Sequence, residues 1–376
     1  MRAALSELKP SLIRQIHALK QPSSIDCSLG EPTLPIEPEL WVRGLARYER
    51  EAKGYAPNLG LRELRDRIAK HHALPGRATG DNVIVTVGSE EALFLAFFTL
   101  LDMGDEVVIA DPAYPAYAGL ATMCGARAVR VPLRAPSYAL CTDDVAAAVT
   151  DRTRLVVVSA PSNPFGRCDD QAELRALATL AGARGFYVLS DEIYKELYFG
   201  AAPPPSITQM SARTLLVSGL SKSCAMTGHR LGYLVAPAEL VAAMWPVHQL
   251  TVTTTSTLAQ QLAIEAFAEP RFLSAHREHY RRAWAHARAA LDMYKIPYIE
   301  PEGAFYAMCP IVPDGVDAFD FCKRFLAAED VVVVPGTAFG PGGARFVRLS
   351  FAGAEGDFVE ATKRLAAFLT TSRSAS

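Results

Sequence analysis

The chain has 376 residues, 50% of them hydrophobic and 21% charged, which is the composition of an ordinary soluble globular protein with length for two or three domains. Its 38 Lys and Arg stand against 40 Asp and Glu, a formal charge of −2 with no long block of either sign, which argues against a nucleic-acid or anionic-membrane surface as its main business. The longest apolar run, Ala92 to Leu101, is far short of the roughly 20 residues of a membrane helix; MRAALSELKP lacks a hydrophobic signal core; and seven scattered cysteines without CxxC fit a reduced cytoplasm better than a disulfide framework or a zinc site.

In chain order, the pattern predicts a helix before Lys20 and a loop at SLGEPTLP. From Asn82 it becomes α/β: the strand NVIVTV, a helix from Ser89 to Leu101 entered through Gly88 and Ser89, then strands EVVIA from Glu106, RAVRVP from Arg127 and RLVVVSA from Arg154. An amphipathic helix over Gln171 to Arg184 follows, then strands FYVLSDE from Phe186, TLLVSG from Thr214 and RLGYLVA from Arg230. Short β-rich runs alternating with helical stretches predict a mostly parallel sheet covered on both faces. Pro270 to Tyr294 reads as one long helix rich in Arg and Ala. Beyond it come AFYAM, a helix around Asp317 to Ala328, VVVV, ARFVRLSF, a final helix from Glu355 and a frayed TTSRSAS tail. The expected organisation is a large domain over 45–270 and a smaller α+β domain made of 1–44 and 271–376.

Polar residues at the strand ends carry the functional signal, because open α/β sheets bind ligands beyond the carboxyl ends of their strands. Gly88, Ser89 and Glu90 lie between a strand and a helix, where free backbone N–H groups and a hydroxyl can take a phosphate; alone, Ser89 reads as a simple N-cap. DPAYPAY fixes an extended loop that carries Tyr114, which could equally plug the core. Asn163, between the prolines of SAPSNPFG, could be only an Asx-turn residue. Asp191 ends an apolar strand at a depth where a carboxylate requires a cationic or hydrogen-bonded partner, and Tyr194 lies three residues on. In GLSKSCAMTGHRLG, Lys222 follows a strand with Arg230 eight residues later. A lysine there can form a Schiff base if burial or a nearby cation lowers its pKa, and an arginine can pair with a phosphate; the bland alternative is a solvated lysine. Together these strand ends suit pyridoxal phosphate, a phosphorylated aromatic aldehyde with a basic ring nitrogen.

Through SLGEPTLP, GYAPNLGLRELR, GSEEAL, DPAYPAY, SNPFG, SDEIYKEL, GLSKSCAMTGHRLGY, PEGAFYA and FVRLSF, the sequence resembles the class I/II aminotransferases of pyridoxal-phosphate fold type I, the aspartate aminotransferase-like enzymes. The resemblance implies an α/β fold with a mostly parallel seven-stranded sheet and a smaller α+β domain. It implies that Lys222 forms the Schiff base and shuttles the proton, that Asp191 keeps the ring nitrogen protonated, and that Asn163 and Tyr194 bond the ring's 3-oxygen. Tyr114 would stack on the ring. Gly88, Ser89, the backbone N–H of Glu90, Ser221 and Arg230 fall at phosphate positions. Arg348 would grip the substrate α-carboxylate, Gly30 would lie in the loop over the substrate, and Tyr55 would reach the phosphate in a neighbouring subunit of a homodimer.

Three positions depart from the family pattern: His229 for the usual Trp, Gly219 for a phosphate-binding Ser, and Phe165 for the Thr of NPTG. Cys224, two residues from Lys222, reads as packing. The implied reaction is ping-pong transamination between an amino acid and a 2-oxo acid, in the cytoplasm, without a metal. A lyase, decarboxylase or racemase on the same scaffold is an alternative. A cofactor-binding regulator is another, disfavoured because only some twenty residues precede the match. A dinucleotide-binding oxidoreductase fails for lack of GxGxxG after the first sheet strand. Arg348 is blind to the substrate side chain, and the apolar helix after Glu91 supplies no cation for an acidic one, which leans toward neutral or aromatic substrates; an arginine from elsewhere, such as the partner subunit, is the alternative for an acidic one.

Overall fold

The computed structural model describes residues 8–51 and 54–374. Helix α1 (Leu12–His17) and the short strand β1 (Ile25–Asp26) lead into α2 (Pro38–Arg50) and α3 (Arg62–His72). The α/β region follows: β2 (Val83–Thr86), α4 (Gly88–Leu100), β3 (Glu106–Asp111), α5 (Ala116–Cys124), β4 (Arg127–Pro132), α6 (Thr142–Ala148), β5 (Thr153–Ser159), α7 (Gln171–Arg184), β6 (Tyr187–Asp191), β7 (Thr214–Gly219) and β8 (Gly232–Val235). Helices α8 (Ala238–Thr251), α9 (Thr257–Ala268) and α10 (Arg277–Met293) precede β9 (Tyr306–Cys309), α11 (Ala318–Glu329), β10 (Val331–Val332), β11 (Val334–Pro335), β12 (Val347–Ser350) and α12 (Glu355–Ser374).

All seven expected strands form one sheet in the order β2-β8-β7-β6-β5-β3-β4. Strand β8 is antiparallel to both β2 and β7, and the remaining pairs are parallel. Strands β2, β7 and β8 are buried at every position, because helices cover both faces and continuous apolar runs are what such strands require. The edge strand β4 instead shows Arg127 and Pro132 to solvent, which blunts its free edge. Helix α7 occupies the range its periodicity predicts: the Asp170 carboxylate accepts from the Ala172 N–H at its start, and Gly185 at φ 81° ends it.

The C-terminal part departs from the sequence reading in three places. Pro270 to Tyr294 is not one helix: a turn over Pro270–Phe272 buries Phe272 and Leu273 against α9, and α10 starts only at Arg277. The break is tied to the segment after β7: the Phe272 carbonyl accepts from the Cys224 thiol at 3.5 Å, and the His276 ring lies 3.0 Å from the Ser223 carbonyl. The run VVVV is two strands, not one. Val331 pairs in parallel with Ile25, whereas Val334 pairs antiparallel with Arg348, so the chain changes partner at Val333. The tail is helical through Ser374, and the last two residues of TTSRSAS lie outside the described ones, as do residues 1–7 of the N-terminal segment.

A second sheet, β11-β12-β9, carries Arg348 on its central strand. It packs in an apolar cluster with α10, α11 and α12 that also takes in Ile193, Tyr194 and Leu197 from the segment after β6. Among the described residues no helix is long and apolar enough to cross a membrane.

Strand β8 approaches the β2–α4 turn so closely that a Cβ on Gly232 would lie 2.4 Å from Gly88 C and 2.4 Å from Ser89 N. Both neighbours are backbone and cannot swing aside. Gly232→Ala is therefore expected to destabilise the fold by about 1–3 kcal/mol, read as a lower urea midpoint at unchanged slope.

Candidate active site

The carboxyl ends of β2, β3, β5, β6 and β7 open on a cavity of about 770 Å³. Because β8 runs the other way, its amino end returns Arg230 to the same edge that Lys222 occupies after β7. Ten of the eleven expected cofactor positions gather here. Ser89, Glu90, Tyr114, Asn163, Asp191, Tyr194, Ser221, Lys222 and Arg230 line the cavity, with Gly30 and Arg348 opposite them, and Gly88 sits directly behind the Arg230 guanidinium. A Cβ on Gly88, which holds φ +74°, would lie 2.4 Å from Arg230 Nη2. Tyr55 is not brought into this cavity; it is 91% exposed on a loop.

Lys222 projects across the gap and its Nζ donates to the Gly30 carbonyl at 2.6 Å. Burial lowers its pKa to about 8, with Arg348 and Arg230 adding in the same direction. Asp191 is buried at the end of β6. Its Oδ2 accepts from the Tyr117 hydroxyl at 2.7 Å and its Oδ1 from the Ile193 N–H at 3.2 Å. Burial nevertheless raises its pKa to about 6, since those two bonds offset only part of the desolvation and no cation pairs with it among the described residues.

On the opposite wall, Arg348 is 2% exposed. Its Nη1 donates to Asn163 Oδ1 at 3.0 Å and its Nη2 to the Ser28 carbonyl at 2.7 Å, while its buried Nε has no partner. No carboxylate neutralises it among the described residues; the guanidinium instead lies over the Tyr306 ring, 4.1 Å from the centroid. The Tyr306 and Tyr194 hydroxyls are 2.6 Å apart, and a Cβ on Gly30 would strike the same Tyr306 hydroxyl at 1.9 Å. Glycine at position 30 is what lets the loop pass.

Three residues of this site have no place in the sequence reading. Tyr117, three residues after Tyr114, orients Asp191; Tyr306, in PEGAFYA, sits beneath Arg348; Ser28 holds Arg348 through its carbonyl. The spacing within DPAYPAY is the signal that could have found Tyr117. The Glu90 side chain also takes a part: its carboxylate accepts from the Tyr114 hydroxyl. Lys9 and Arg14, on the N-terminal segment, line the rim, so cations reach the cavity from outside the helix after Glu91. His229 faces Trp41 with centroids 5.8 Å apart, and Cys224 is buried with its thiol pushed up to about 12, as inert packing requires.

The family model for aminotransferase class I and II matches residues 28–365. The chain belongs to the class I and II aminotransferases. Among the relatives of this aminotransferase, a probable N-acetyl-LL-diaminopimelate aminotransferase of Bacillus subtilis is 32% identical over 93% of this chain and 90% of that protein. The arginine–pyruvate transaminase of Pseudomonas aeruginosa is 36% identical over 83% of this chain and 81% of its own length. The solved structure of the Thermus thermophilus aspartate aminotransferase with maleate superposes with a TM-score of 0.90 at 32% identity, covering 98% of this chain and 99% of that one. The architecture is fold type I, as the resemblance implied, and the enzyme is a transferase of amino groups between amino acids and oxo acids.

Asp191 makes the cofactor-free fold pH-dependent. Its folded pKa near 6 lies above the ordinary 3.8, so its contribution to stability is fully present below about 3.8 and is lost as pH rises through 6. Asp191→Asn, which keeps the shape and removes the charge, is expected to stabilise the cofactor-free aminotransferase at pH 8 by about 1–3 kcal/mol. The gain should vanish by about pH 4, as measured by thermal unfolding at both pH values.

Proposed function

We propose that this aminotransferase works with pyridoxal 5'-phosphate held in the 770 Å³ cavity, and that it transfers the amino group by a ping-pong sequence at Lys222. The observation that carries this reading is the buried, cation-free carboxylate of Asp191 on one side of a buried amine of lowered pKa. The residues fit the coenzyme. Asp191 lacks the positive partner that a pyridinium N–H would be. The glycine cradle at Gly88, backed by Arg230 and flanked by Ser89, Glu90 and Ser221, suits a phosphate at a helix start. Tyr114, Asn163 and Tyr194 line the same cavity: Tyr114 would stack on the ring, and Asn163 and Tyr194 would bond its 3-oxygen. When bound, the coenzyme supplies an electron sink for the substrate Cα.

The chain's own groups do the rest. Arg348 presents an unpartnered Nε with two engaged Nη groups, a fork able to take a carboxylate by exchanging its Asn163 and Ser28 bonds. Asn163 would thus serve both the ring oxygen and the substrate carboxylate, and Gly30 would lie in the loop above them. Lys222, neutral in about one molecule in ten at pH 7 with a pKa near 8, can accept the Cα proton and return it. Tyr117 holds the Asp191 carboxylate toward the cavity, and Tyr306 holds the Tyr194 hydroxyl. The relatives named above are all aminotransferases or transaminases, which favours transfer over elimination, decarboxylation or racemisation.

The same reading includes a homodimer, in which exposed Tyr55 completes the neighbour's phosphate site, a cytoplasmic setting, and a large domain over 45–270 with a small one from 1–44 and 271–376. Lys222→Ala is expected to lower turnover at least about 10³-fold while noncovalent coenzyme binding persists. Borohydride should fix the coenzyme to the wild type and not to the variant; equal turnover in both would overturn the assignment. At the rim, Lys9 and Arg14 favour an oxo acid with a second carboxylate. Arg14→Ala is expected to raise KM for 2-oxoglutarate about tenfold and to leave KM for pyruvate within about twofold, measured side by side with one amino donor.

A further inference from the structure

Behind the phosphate turn, on the side away from the cavity, a histidine is enclosed between two acceptors. His248 on α8 is fully buried. Its Nδ1 lies 2.6 Å from Glu91 Oε1 and its Nε2 lies 2.7 Å from the Asn58 carbonyl oxygen. A backbone carbonyl cannot donate, and a neutral imidazole has only one N–H, so both contacts are satisfied only when the ring and the carboxyl hold two protons between them. Placed on the ring, those two protons make an imidazolium facing a carboxylate whose two oxygens both accept, one from the ring and one from the Val87 N–H. Among the described residues, Glu91 is the one ion-pair partner of the ring.

What this ring joins is specific. The other oxygen of Glu91, Oε2, accepts from the Val87 N–H at 2.6 Å, so the carboxylate grips the backbone immediately before Gly88, Ser89 and Glu90. Asn58 belongs to the loop that carries Tyr55. That loop is fastened again by its Asn58 amide donating to Thr253 O at 2.8 Å, and by the Val85 N–H donating to Leu59 O at 3.0 Å. The buried His248–Glu91 pair therefore ties the turn that faces this chain's own cavity to the loop whose Tyr55 points outward.

We propose that His248 is a positioning residue, held as an imidazolium, that locks the phosphate turn at Gly88 to Glu90 and the Tyr55 loop in one fixed relation. The inference rests on the coenzyme reading above for its ligand, but the charge state of the ring does not. It adds a residue that touches neither coenzyme nor substrate and yet sets how firmly a phosphate is held.

Two measurements test it. In the wild-type enzyme with ¹⁵N-labelled histidine, the His248 ring, assigned by its loss in His248→Gln, is expected to give the doubly protonated signature at pH 7; a neutral ring there overturns the proposal. In titrations of coenzyme-stripped enzyme, Glu91→Gln and His248→Gln are each expected to raise Kd for pyridoxal phosphate about tenfold, equivalent to about 1.4 kcal/mol. Kd for pyridoxal, which lacks the phosphate, should stay within about twofold. Equal weakening toward both, or toward neither, overturns it. If His248→Gln does not fold, Glu91→Gln and the wild-type spectrum, assigned then by its response in Glu91→Gln, still decide. Wild-type enzyme that binds neither compound would refute the coenzyme reading instead, and the spectrum would still judge the cation.

Discussion

Two opposite charges are buried on facing walls of one cavity, and neither neutralises the other. Arg348 spends its donors on an amide and a carbonyl, and Asp191 accepts from a phenol and a backbone N–H. Leaving such groups without counter-charges costs several kcal/mol apiece in the isolated chain. The surrounding structure is arranged to bear that cost: a sheet buried on both faces fixes Asp191, and the three-stranded sheet fixes Arg348. In the proposed function, each charge is kept for a ligand group of opposite sign. Lys222 lies between the two walls, and the same desolvation that strains the pair makes its amine easier to deprotonate.

The seven strands of the large sheet were readable in the sequence because a strand covered on both sides must be apolar at every position, and such runs stand out against charged helices. The site was readable for a related reason: polar residues that end those runs, such as Asp191 after FYVLS, have no packing explanation. Other elements left weaker traces. Helix α9 buries two glutamines, Gln260 and Gln261, within an apolar face, and α8 carries Pro246 in its interior; both blur the helical period. The break after Pro270 follows from tertiary burial of Phe272, which local periodicity does not encode.

Residues that act through distant partners were the least legible. Ser28 serves Arg348 with its backbone carbonyl, so its side chain gives no hint, and the two lie 320 residues apart. Tyr306 and Tyr117 look like core aromatics until the neighbours of their hydroxyls are known. Glu90 was legible only as a backbone donor, whereas its carboxylate also bonds the Tyr114 hydroxyl. Lys9 and Arg14 reach the rim because the N-terminal segment folds against the cavity, a long-range event that no nearby pattern announces.

The reversed strand β8 has a consequence for how this enzyme can vary. Lys222 hangs from the end of one strand and Arg230 from the beginning of the next, and the cross-strand register pairs Gly219 with Gly232. The connecting residues therefore act as a fixed ruler between amine and guanidinium: one residue more or fewer would leave both strands intact yet misalign the two heads. Length in that stretch is therefore held as firmly as the identity of the two heads it separates.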